Sequence, residues 1–160
     1  MHNNYGFSLY ELMVVIAICA IITAFATPAA INWRNKAKMN DAVSMLRSDL
    51  EMAKITALRE NNFVVVSFSA DSYLIFVDDG AGGVGAGNWS HDPGEKRIRN
   101  KQIPAGVSVD LGNTNFEGDQ ITRFDGRGRL DEKGIVTLTS ANGIQRELNM
   151  NNRFGRIDIN

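Results

Sequence analysis

Residues 12–31 read LMVVIAICAIITAFATPAAI, twenty positions without a formal charge. At about 1.5 Å of rise per residue a helix of this length reaches roughly 30 Å, the thickness of a bilayer's hydrocarbon core. The stretch is therefore predicted to cross a membrane as a helix. A secretory signal peptide carries basic residues before its apolar stretch and a small-residue cleavage site after it. Here the only plausible processing junction, Gly6-Phe7, lies before the apolar stretch. The helix is thus expected to stay on the protein.

Glu11 stands at the edge of this span, and no other acidic residue occurs before Asp41. A carboxylate as deep as the bilayer centre would cost about 2.5–3.5 kcal/mol, so it must either lie in the headgroup layer or find a partner. Gly6, the aromatic Phe7, Glu11 four places on and an unbroken apolar helix together resemble the type IV prepilin signature. That resemblance implies a prepilin peptidase that cuts after Gly6 and methylates the new terminus at Phe7. It also implies that Glu11 faces the Phe7 amine of a neighbouring subunit, which neutralises the carboxylate and sets an axial register. The charge distribution alone argues for the opposite orientation. The first six residues offer only the α-amine and His2, whereas Arg34, Lys36 and Lys38 flank the far end, and basic residues favour the cytoplasmic side. The signature is the narrower signal. It implies a single-pass chain in the bacterial inner membrane, with its C-terminal part in the periplasm.

Leader and span removed, roughly 125 residues remain, enough for one domain with its own core. Seventeen basic and eighteen acidic side chains give a formal charge of −1. No global field recruits nucleic acid or anionic lipid, and such binding must come from a local patch. The one cysteine, Cys19, lies inside the apolar span, so the domain must be held by its core and not by a disulfide. With only His2 and His91 available, no His-Cys metal constellation can be assembled.

The helical pattern continues past Pro28. Met39, Ala42, Val43, Leu46, Leu50, Ala53, Ala57 and Leu58 recur at spacings of three and four, while Arg47, Asp49, Glu51, Lys54 and Arg59 fall mostly on other faces. One helix is predicted over residues 7–60, kinked at Pro28, which lacks an N–H, and ended by Asn61-Asn62. Its first half, 7–31, is the span or filament core; 32–61 is an amphipathic continuation. Beyond it, period-two β-branched and aromatic patterning predicts strands at 63–68 and 73–77, then at 97–103, 107–111, 121–124, 135–139, 144–150 and 154–159. Asn142-Gly143 is a type I′ turn signal. The fold class is α+β: a long N-terminal helix packed on an antiparallel β-sandwich or sheet spanning 62–160.

A narrower resemblance rests on Leu46-Arg47-Ser48-Asp49-Leu50-Glu51-Met52-Ala53-Lys54, on the strands at Val64 and Tyr73, and on the glycine-rich loop with Trp89. Phe124-Asp125-Gly126-Arg127-Gly128 and Phe154-Gly155-Arg156-Ile157 complete it. Together these are similar to the GspH/FimT branch of type IV pilin-like proteins. The resemblance implies a minor pilin or pseudopilin that helps initiate or cap a filament, in type II secretion or in a type IV pilus. Its implied partners are other pilins, the peptidase, an inner-membrane assembly platform and, before assembly, membrane lipid. Some members of the branch capture DNA through C-terminal arginines, which would here be Arg153 and Arg156, although Asp158 stands where a second arginine would help.

Other chemistry is less well supported by the residues. Asp78 to Asn88 is rich in glycine but lacks the Gly-Lys-Ser/Thr ending of a phosphate loop. Asp78, Asp79, Asn88 and Asp92 are hard oxygen ligands without EF-hand spacing, so a surface loop is expected, and no metal or cofactor. Alternation in a strand would put Arg97, Arg99 and Lys101 on one face, a row able to track phosphates or simply to protect a solvated edge. Trp89, Phe116 and Phe124 are expected in packing, not in base stacking. Ser90-His91-Asp92 are adjacent in sequence and cannot by themselves form a nucleophile, base and orienter, so no catalytic residue is expected.

Overall fold

A computed structural model of the protein describes residues 8–83, 85–117, 119–150 and 156–159. A single helix, α1 (Leu9–Glu60), runs for 52 residues. Ser8 precedes it in an extended conformation, and Phe7, the expected first residue, lies outside the described residues. Asn61 ends it in the left-handed region at φ 50°, its N–H donating to Ala57 O. Asparagine is, after glycine, the residue best suited to that position. The helix passes through Pro28 without interruption. One turn earlier, the hydroxyls of Thr23 and Thr27 donate to the carbonyls of Cys19 and Thr23.

The two halves of α1 have different surroundings. From Ser8 to Arg34 every residue is exposed, whereas Met39, Ala42, Val43, Leu46, Leu50, Ala53 and Ala57 are buried. This buried stripe is the one predicted from the three-four spacing except at Leu58, which follows Ala57 directly, falls off the buried face and is exposed. It carries one residue that the pattern had assigned to another face: Asp49, three places after Leu46 and four before Ala53, is buried too.

Among the described residues nine strands follow: β1 (Phe63–Phe68), β2 (Ser72–Asp78), β3 (Arg97–Gln102), β4 (Val107–Val109), β5 (Asn115–Phe116), β6 (Ile121–Phe124), β7 (Gly134–Ser140), β8 (Gln145–Asn149) and β9 (Asp158–Ile159). One sheet has the order β3-β2-β1-β6; the other has β4-β7-β8-β9, with β5 also paired to β7. Every pairing is antiparallel. Side chains of α1 and of both sheets share one core, and the Phe68 and Phe116 rings stack across the sheets at 5.7 Å. The α+β architecture is the expected one.

Three details differ from expectation. The short strand β5 has no alternating pattern to announce it and exists because its two residues lie along β7. Of the predicted strand 154–159, Phe154 and Gly155 lie outside the described residues, Arg156 and Ile157 are not in a strand, and only Asp158–Ile159 pair, as β9. The β7–β8 connection is not type I′. Ser140 N–H donates to Ile144 O at 2.9 Å and closes a loop of three residues, Ala141-Asn142-Gly143, with Gly143 N–H donating to Ser140 O at 2.8 Å and Gly143 at φ 80°. Asn142 is not at positive φ, and its Oδ1 accepts from the Ser140 hydroxyl. A turn followed by a left-handed glycine is the alternative way to close a hairpin.

Candidate functional site

Two surfaces stand out: the bare first half of α1, and the segment 79–96 folded over the far face of the first sheet. On the helix, Leu9, Phe25 and Trp33 are 77, 79 and 72 % exposed. This is the one helix among the described residues long and apolar enough to cross a membrane. Glu11 lies in its first turn, exposed and without an ion pair among the described residues. Gly6 and Phe7, the expected processing junction, are outside them.

The glycine-rich segment is a built structure and not a free surface loop. Asp78, fully buried at the end of β2, accepts from the N–H groups of Gly87 (2.6 Å) and Trp89 (3.0 Å). Glu95, also buried, accepts from Gly80 N–H (3.3 Å) and Asp92 N–H (2.9 Å). Asp92 in turn accepts from the Asn88 amide at 2.6 Å. The oxygens that could have been calcium ligands thus hold the loop's own donors. No cluster of three His, Cys, Asp or Glu suited to a metal occurs among the described residues. His91 packs edge-on against Phe76 at 5.2 Å, with Nε2 buried and unpartnered.

Arg123 locks this segment down. From β6 its guanidinium lies 4.1 Å from the Phe63 ring centroid and 4.0 Å from that of Trp89. It also donates to Gly87 O at 3.0 Å and pairs with Asp131 at 2.6 Å. β-alternation across β1 and β6 sends Arg123 to the outer face, where the loop's tryptophan covers it. Cation–π contacts at a desolvated site are worth up to about 2 kcal/mol or more. Arg123→Ala should therefore leave the helix and core standing while segment 79–96 loosens. The expected result is at least a roughly tenfold faster protease cut within that segment. An unchanged cleavage rate would show that the arginine does not hold it.

The basic run on β3 does not form the predicted row. β3 is the edge of its sheet, and the register with β2 shifts between Ile75 and Phe76, so Ile75 opposes Arg99 and Phe76 opposes Arg97. The bulge takes Arg97 out of phase and lets Ile98 pack against the core. Arg99 and Lys101 turn instead to Asp49, at 3.5 and 3.3 Å. Asp49 also accepts from the Tyr73 hydroxyl at 2.5 Å. Burial, then the hydrogen bond to Asp49 and its charge, push the Tyr73 phenol well above its ordinary value. Stability from the neutral phenol is therefore intact below about pH 10, where an unfolded tyrosine ionises, and is lost as pH rises above it. Tyr73→Phe should flatten the fall in denaturation midpoint between about pH 9.5 and 11; an identical slope in the variant would remove Tyr73 as its cause.

At the C-terminal end Arg156 pairs with Asp158 at 2.9 Å, both exposed, and Arg153 lies outside the described residues. Arg129 is likewise engaged. Asp125 accepts from the Arg127 and Arg129 N–H groups and from the Arg129 guanidinium. Although burial raises its pKa, these donors outweigh burial and hold it below the usual value. This turn brings Gly126 against the helix cap, where a Cβ would meet Asn61 Oδ1 at 2.7 Å and Asn61 backbone at 2.8 Å.

A bare apolar N-terminal helix continuing into the core of an antiparallel β-domain defines a membrane-anchored subunit of the pilin type. In keeping with this, the prokaryotic N-terminal methylation motif matches residues 1–27. The family model of the type II transport protein GspH matches residues 42–153, and the chain belongs to that family. Comparison with curated proteins and with solved structures returned no match. The protein is accordingly a minor pilin or pseudopilin of type II secretion or type IV pili. Such subunits assemble with other pilins, are processed by prepilin peptidase and are structural proteins, not enzymes.

Proposed function

We propose that this subunit initiates or caps a periplasmic filament. Cut between Gly6 and Phe7 and methylated on Phe7, it waits in the inner membrane until an assembly platform draws its anchor into the filament. Apolar helix packing and neutralisation of Glu11 by a neighbour's Phe7 amine drive assembly, Pro28 bends the anchor, and the β-domain decides where the subunit sits. The observation that carries this reading is the unequal helix. Its second half buries a stripe in the domain, while its first half leaves a whole apolar surface and one carboxylate without a partner among the described residues.

Deletion of the gene and complementation test the role. Collapse of the yield of sheared surface filaments, restored by the gene, would support initiation of a type IV pilus. Unchanged filaments with loss of exoprotein release would assign it to the secretion pseudopilus. Neither loss would sink the initiating role. DNA capture through Arg153 and Arg156 is the weaker reading, because Asp158 already neutralises Arg156.

A further inference from the structure

Between Leu12 and Asn40 the only charged residues are Arg34, Lys36 and Lys38. They begin three residues past the apolar span and directly follow Trp33, which is 72 % exposed. At about 1.5 Å per residue, Ile31 to Lys38 rises roughly 10 Å, which places all three cations in the headgroup layer just outside the hydrocarbon core. Exposed tryptophan at that level is the usual companion of such an interface.

The β-domain closes onto the same short stretch. Lys38 donates to Ala105 O at 2.9 Å and so draws the β3–β4 connection down to this level. Lys36 shares a depression with Met39, Asn40, Ile144 and Arg146, which adds a fourth cation from β8. Arg34 and Lys38 line a second depression with Ile31 and Asn35. Positions 34 and 38 are one turn apart and 36 lies on the opposite side of the helix, so the cations surround α1. Arg34, Lys36 and Arg146 make no salt bridge among the described residues.

We propose that Arg34, Lys36, Lys38 and Arg146 form a collar that gathers anionic phospholipid around the anchor and seats the β-domain on the bilayer surface before assembly. This rests on the membrane-anchored reading above. The chemistry is that of ammonium and guanidinium groups on lipid phosphates. A cation near such a surface changes affinity by roughly fivefold. The collar also accounts for basic residues on the side of the span where the topology rule does not ask for them: they bind lipid there.

Trp33 is a built-in reporter. The full chain would be reconstituted in phosphatidylcholine vesicles containing brominated lipid at one mole fraction, either phosphatidylglycerol or phosphatidylcholine, and tryptophan quenching compared. The expected result is stronger quenching by the brominated anionic lipid, by a factor of several. The excess should vanish in the triple variant Arg34→Gln, Lys36→Gln, Arg146→Gln and in about 1 M salt, where the Debye length falls to about 3 Å. Lys38 is spared because it also holds the Ala105 carbonyl. Equal quenching by the two lipids in the wild type would overturn the collar while leaving the anchor intact; so would an excess that survives in the variant. No quenching by either lipid would overturn the anchor and the collar together. Equal lipid quenching with variant-sensitive retention of duplex DNA would assign the patch to nucleic acid and overturn the proposal.

Discussion

Glu11→Ala is expected to insert in the membrane as well as the wild type and to be left out of filaments. Insertion depends on residues 12–31, whose apolar character the substitution leaves intact. Incorporation, on the proposed mechanism, brings the carboxylate into an apolar filament core opposite the Phe7 amine of a neighbour. Removing one partner of a buried pair leaves the other charge uncompensated, typically at about 3–5 kcal/mol. The ratio of subunit in sheared filaments to subunit in membranes should fall by at least roughly tenfold, well within that cost. Glu11→Gln, which keeps shape and loses charge, should behave like the alanine variant; normal incorporation of the glutamine variant would remove charge neutralisation from the mechanism.

Gly134→Ala should strongly destabilise the β-domain. A Cβ there would sit 2.0 Å from Asn115 O and 2.5 Å from Phe116 Cδ1. The first contact is backbone that is itself paired to β7, and the second is a ring fully buried against Phe68. Neither can move without separating β5 from its neighbour, so the loss should reach about 3 kcal/mol or more. Gly85, with open space around the added carbon and an ordinary φ, is the matched control. Its alanine variant should stay within about 0.5 kcal/mol of wild type in a denaturant titration. Equal midpoints for the two variants would contradict the close approach of β5 and β7.

Much of this was legible in the chain, for physical reasons that differ by element. The helix announces itself through a span with no charge and then a three-four apolar stripe, and both its C-terminal boundary and the cap at Asn61 match the reading. Strands with strong alternation, such as β1, β2 and β7, were equally plain. What escaped depends on contacts remote in sequence. Asp49 is polar and looks like a surface residue until Tyr73, Arg99 and Lys101 arrive to satisfy it. The spacing 46-49-53 was the available signal. Arg123 acquires its place from Trp89, 34 residues earlier in the chain. The bulge at Ile98 and the three-residue loop at Gly143 are decided by neighbouring strands, which local residue types cannot report. The junction at Gly6 and the arginine at 153 rest on resemblance alone.

The continuity of α1 has a mechanical consequence. Among the described residues no core side chain precedes Met39, yet the same unbroken backbone of 52 residues, about 78 Å at helical rise, carries both anchor and core stripe. An axial force applied at the N-terminus passes through stacked helical hydrogen bonds into the middle of the domain without crossing a linker. Extracting the anchor from lipid removes none of the contacts that keep the head folded. The subunit is in this sense a handle fused to its cargo: a motor can grip and displace one end, and the other end follows as a rigid body.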